Sequence, residues 1–174
     1  MQTAAIFFFY FGMVFLLIVV HECGHYLAGR IGGIAAGNLQ LRLFAFPQHV
    51  VLRSGEDWIA PTKNIDRYVE LVWEYLKTKP KVYLYVAGGF LLETLFTVTL
   101  CVGLILAGYE KMAWAIAGLS LMMGLPWFII DPIMICRGRI FGDLSGLWFL
   151  SKWPTLLFVL IGVGLRVLIL WWAW

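Results

Sequence analysis

Charge is what this sequence has least of. Only 13% of its 174 residues are Asp, Glu, Lys or Arg, against ~25% in soluble domains, and 62% are hydrophobic. A soluble globular domain is excluded, and an integral membrane protein is the class that remains. No basic residue precedes Ile6 and no small-x-small site follows the first apolar run, so that run does not read as a removable signal peptide. Cysteine is scarce as well. Cys23, Cys101 and Cys136 show no framework spacing, which argues against a disulfide scaffold and for buried free thiols. No fixed-period repeat or low-complexity tract is visible.

What the sequence does have is length in its apolar runs. Four stand out: about Ala4 to Ala28, Lys81 to Gly108, Met112 to Ile135, and Trp153 to Trp174. Each is near or above the ~20 residues a helix needs to cross the hydrocarbon. The predicted fold is an all-α transmembrane bundle of four helices, with residues 1–174 forming one membrane domain. The few basic residues set its orientation. Arg30, Arg42, Arg53, Lys63, Arg67, Lys77, Lys79 and Lys81 fall between runs one and two, and Arg137, Arg139 and Lys152 between runs three and four. The positive-inside rule puts both basic loops in the cytoplasm and both termini outside. Trp171, Trp172 and Trp174 would anchor the far interface.

Residues 30–80 form the cytoplasmic loop. Within it, Leu39, Leu41 and Leu43 alternate with Gln40, Arg42 and Phe44, a strand period. Pro47 and Gln48 interrupt, and extended character resumes from His49 to Arg53. This predicts a short β-hairpin over Asn38 to Arg53. From Pro61 to Thr78 the period becomes helical: Ile65, Tyr68, Val69, Val72, Trp73 and Leu76 share a face. An amphipathic helix is expected there, either lying on the membrane surface or packed on the hairpin.

The chemistry concentrates in His21-Glu22-Cys23-Gly24-His25. On a helix, residues four apart lie on one face, so His21 and His25 can share one zinc ion, with Glu22 beside it as a base for water. Cys23, two residues on, points elsewhere. Histidines and a glutamate in a membrane helix are costly and usually functional. A catalytic zinc needs three protein ligands and an open position. The candidates for the third are His49, Glu93, Asp131 and Asp143. Glu93 is nearer mid-bilayer, and Asp143 falls in the loop beyond run three. Ala4 to His25 and Met112 to Asp131 both cover ~30 Å at ~1.5 Å per residue, so Asp131 reaches the level of the histidines and is the preferred third ligand. His49 reads as a loop residue, and Asp143 as a loop cap or solvated charge.

These residues carry a resemblance. The run His21 to Ala28, HECGHYLA, is similar to the first motif of the site-2 protease family of intramembrane zinc metalloproteases. The family's second motif, N-x-x-P-x-x-x-L-D-G, is echoed by Met123 to Pro132, which keeps Pro126 and Asp131 but has Met123 for the asparagine and Pro132 for the glycine. Its A-G-P-x-x-N stretch is echoed weakly by Ala87-Gly88-Gly89. The resemblance spans roughly residues 5 to 136, to a compact member without a PDZ domain. It implies zinc (Zn2+) on His21, His25 and Asp131, and Glu22 as catalytic base. It also implies hydrolysis of membrane-anchored protein helices near the cytoplasmic side. The hairpin would accept an unwound substrate segment by strand addition. Gly24, Gly29, Gly32 and Gly33 would permit close helix approach.

Glu93 and Arg166 each lie twelve residues into a helix that starts at the cytoplasmic face, so they are expected to pair and to dock segment four on segment two. The expected partners are the lipid bilayer and a substrate helix, with no nucleic acid. The altered second motif motivates another reading, a metal-retaining structural or assembly subunit bound to other subunits of a membrane complex. A metal transporter is weaker, because no polar path continues through the bilayer.

Overall fold

The computed structural model describes residues 2–174. Apolar runs become helices because, in lipid, the backbone must satisfy its own hydrogen bonds. Among the described residues, four such helices are long and apolar enough to cross a membrane: α1 (Gln2–Gly32, apolar from Ile6), α3 (Lys79–Leu106), α4 (Glu110–Cys136) and α6 (Lys152–Trp172). The chain is a multi-pass integral membrane protein by these spans. Their outer faces remain apolar and exposed: Phe7, Phe8 and Phe11 on α1, Leu95 on α3, Met122 and Ile129 on α4, Leu157 and Leu168 on α6. Such a surface suits a lipid bilayer rather than water.

Between α1 and α3 the chain forms a small layer of its own. Strands β1 (Leu39–Arg42), β2 (His49–Ser54) and β3 (Asp57–Ile59) make an antiparallel sheet in the order β1-β2-β3. Leu39 pairs with Leu52 and Arg42 with His49. The expected hairpin is therefore present, extended by a third strand. A two-residue turn makes that extension. Gly55 adopts φ +61°, which glycine tolerates without strain, and Ser54 then pairs with Asp57.

Helix α2 (Ile65–Leu76) starts where the Asn64 side chain accepts the backbone N–H of Arg67, an N-cap. Of its two expected placements, the structure shows packing on the sheet. Tyr68, Leu71, Val72 and Leu76 are buried with Ile34, Leu39, Val50, Leu52, Val82 and Tyr85 in one cluster. This core ties the sheet layer to α3. The loop after α4 also contains more than was expected: α5 (Asp143–Leu150), a short helix wedged against α3, α4 and α6.

Helices α1 and α3 make the closest crossing. A Cβ on Gly24 would collide with the Gly88 backbone, and one on Gly89 would stand 2.5 Å from the Nε2 atoms of both His21 and His25. Small residues let the two backbones meet at the level of the histidines. Pro126 and Pro132 both lie inside α4, which continues through them to Cys136. Buried interior is scarce in a four-span bundle, so a second polar cluster is conspicuous. Arg166 on α6 meets Glu93 on α3 at 3.0 Å, as expected from their matched depth.

Candidate metal centre

His21 and His25 are buried on the face of α1 that meets α3. His25 Nδ1 lies 2.9 Å from the backbone carbonyl of Tyr85. A carbonyl only accepts, so Nδ1 carries the proton and donates it. In the neutral ring this leaves Nε2 as a lone pair facing inward, the tautomer that metal-binding histidines adopt when an outer partner orients them. His21 is held by packing: its ring stacks on Trp127 at 5.7 Å between centroids and meets Phe90 edge-on at 5.1 Å.

The two Nε2 atoms are 3.2 Å apart. The third atom of the cluster is Oδ2 of Asp143, 2.9 Å from His21 Nε2 and 3.1 Å from His25 Nε2. Packing around the Asp143 carboxyl pushes it up, but the charge of His25 and the hydrogen bonds of both histidines outweigh that and hold it well below the usual carboxylate range. Three acceptor atoms this close need positive charge among them, from protonated imidazoles or from a bound cation. The edges of this triangle, 2.9 to 3.2 Å, are near the ~3.3 Å between ligand atoms on a tetrahedral ion with ~2.0–2.1 Å bonds. Glu22 stands beside it, and His21, Glu22 and His25 together form a cluster that can hold a metal ion. The residues present therefore fit a divalent ion with one nitrogen pair and one carboxylate.

Depth and the resemblance both point to Asp131 for the third position. In the structure the carboxylate within hydrogen-bond distance of the two imidazoles is that of Asp143, and Asp131 bonds Ser145 on the same short helix. Asp131 is fully buried, and its oxygens face Ser145, 3.0 Å from the backbone N–H and 3.2 Å from the hydroxyl. The reason is the path of the chain after α4. Gly138 adopts φ +67°, the chain reverses, and α5 brings Asp143 back to the histidines. The loop cap or solvated charge expected at Asp143 is instead the first residue of a helix. Its signal was present in Gly142-Asp143-Leu144-Ser145: a glycine start, then an acidic residue in the first turn.

A cavity of about 790 Å³ opens over the centre. Its wall includes His21, Glu22 and His25, Tyr68 and Trp73 of α2, and Trp127 and Phe149. His49 also lines it, with Nδ1 donating to the Pro47 carbonyl at 2.7 Å. Glu93 does not reach the centre. It is held by Arg166 and by the hydroxyl of Ser120. Cys23 lies outside the cluster.

Fold and site thus define a multi-pass membrane protein with a metal-competent histidine–glutamate–histidine centre buried in its first span. No family model, curated protein or solved structure matches the chain.

Proposed function

We propose that the chain is a zinc-dependent intramembrane endopeptidase of the site-2 protease type. The observation that carries this reading is the convergence of two imidazole Nε2 atoms and one carboxylate oxygen, with Glu22 beside them, under a cavity of about 790 Å³. Two nitrogens and an oxygen are a zinc donor set. His21, His25 and Asp143 would hold the ion, which when bound supplies Lewis-acid polarisation of a scissile carbonyl and of water.

The chain's own groups do the rest. Glu22 takes the proton of the attacking water as its oxygen bonds to the peptide carbon. It returns that proton to the leaving nitrogen as the carbon–nitrogen bond breaks. The Tyr85 carbonyl keeps His25 in its working tautomer. The aromatic wall of the cavity offers apolar contact to substrate side chains. The substrate is a membrane-anchored helix, unwound locally near the cytoplasmic side, where the basic loops reside. β1 and β3 are the sheet edges, and either offers free backbone groups for an extended segment.

The test is cleavage of a membrane-anchored reporter by the wild type and by Glu22→Gln, with zinc content measured for both. Equal zinc and cleavage by the wild type alone is the expected result. Met123 offers no polar group where the similar motif has asparagine, which favours one second reading: a metal-retaining structural subunit of a membrane complex. Equal zinc with no Glu22-dependent cleavage of any reporter would select it.

A further inference from the structure

We propose that Asp131 is a positioning residue: its carboxylate clamps the N-terminus of α5 and so holds Asp143 against the two imidazoles. The inference rests on the reading of His21, His25 and Asp143 as metal ligands.

The first N–H groups of a helix have no partner within it. A side chain at the N-cap usually supplies one, but the residue before α5 is Gly142, which has none. The cap comes from another helix instead. Asp131 on α4 accepts the Ser145 backbone N–H at 3.0 Å. The Ser145 hydroxyl lies 3.2 Å from the other Asp131 oxygen, and it accepts the N–H groups of Phe141 and Gly142 at 2.9 and 3.0 Å. The entry to α5 is therefore pinned on both sides of Asp143, at 141–142 and at 145.

Gly142 explains how the carboxylate gets so close. A Cβ there would stand 3.1 Å from both Asp131 oxygens and 2.9 Å from the Trp127 ring. Trp127 in turn stacks on His21. The same few residues thus fix one imidazole and the carboxylate opposite it. Asp131 is fully buried, and the positive end of α5 is the charge it faces. Outer groups that orient metal ligands typically change affinity 10- to 100-fold when removed.

The experiment measures zinc affinity by chelator competition and amide hydrogen exchange at Ser145, on the full-length protein in detergent. Asp131→Ala should weaken zinc binding about 10- to 100-fold and speed exchange at Ser145. Asp131→Asn keeps one oxygen for the Ser145 N–H and should recover most of both. Gly142→Ala changes no donor atom and should resemble Asp131→Ala, whereas Asp143→Ala should abolish binding with Ser145 still protected. Two results would overturn the proposal. One is Asp131→Asn as damaging to zinc as Asp143→Ala with exchange unchanged, which would make Asp131 a ligand. The other is Asp131→Ala with wild-type affinity and exchange. A wild type that binds no zinc would sink the metal reading alone. The nitrogen shifts of His25 would then decide whether Asp131→Ala releases Asp143; unchanged shifts would overturn the clamp.

Discussion

Among the described residues, two polar clusters inside this helical bundle differ in what their atoms face. In the first, Arg166 spends every nitrogen on a fixed partner. Nη2 meets Glu93 at 3.0 Å, Nε donates to Ser120 at 2.7 Å, and Nη1 donates to Thr94 at 2.9 Å and to the Gly162 carbonyl at 2.8 Å. The Ser120 hydroxyl in turn donates a hydrogen bond to Glu93. The adjoining cavity is only about 40 Å³, room for roughly one water. In the second cluster, three acceptor atoms converge on one another and a cavity of about 790 Å³ opens above them. The first cluster is closed and complete. The second can hold a cation and is open to a ligand. Burial of charge alone does not separate a closed cluster from a metal-competent one; the destination of each lone pair and proton does.

That contrast predicts opposite losses. The largest effect falls on the open cluster. Glu22→Gln should lower reporter cleavage by about 10²- to 10⁴-fold, the scale of a lost general base, with zinc content and unfolding temperature unchanged. A fall in stability of the same variant would show that Glu22 belongs to the framework and would erase the distinction.

The closed cluster should respond the other way. Arg166→Leu leaves buried Glu93 and Ser120, and half-buried Thr94, without their partner and should destabilise the bundle by about 3–5 kcal/mol. Zinc bound per folded molecule should not change. Adding Glu93→Gln should recover part of that loss, because the unpaired charge goes with it. Strictly additive losses would mean that the two residues do not act as a pair.

Between these lies the glycine crossing. Gly89→Ala places a methyl group 2.5 Å from both Nε2 atoms, and the triangle has to open. Zinc affinity should fall at least about tenfold, with less effect on stability than Arg166→Leu. Unchanged affinity would show that the histidines rearrange freely and that their present geometry does not set the site.

Much of this was legible in the sequence, for identifiable reasons. The four spans follow from run length, and the Glu93–Arg166 pair from depth, since a helix converts residue count into height. The helix at 65–76 was readable from its period, but its place was not. Whether Tyr68 and Val72 face lipid or a sheet depends on β2, a non-local partner. The same limit produced the Asp131 expectation. Depth fixes height along the bundle and says nothing about a chain reversal, so six residues of loop with Gly138 in a left-handed turn were enough to bring a second carboxylate, Asp143, beside the imidazoles. β3 is not legible because three residues, Asp57 to Ile59, carry too little alternation to read as a strand.

The smallest effect should come from the surface of α2, and it tests where the open cluster ends. Arg67 reaches Glu70 at 3.0 Å and Glu74 at 2.8 Å, and its other nitrogen donates to Ser54 on β2 at 3.1 Å. These contacts lie on the solvent side, opposite the buried Tyr68, Leu71, Val72 and Leu76. Exposed ion pairs are screened at physiological salt and contribute little. The apolar contacts beneath are what seat α2 over the cavity. Arg67→Ala should therefore leave unfolding temperature, zinc content and cleavage at wild-type values in about 0.15 M salt. A selective loss of cleavage would show instead that the Arg67–Ser54 link holds α2 over the centre, extending the open cluster into the sheet layer.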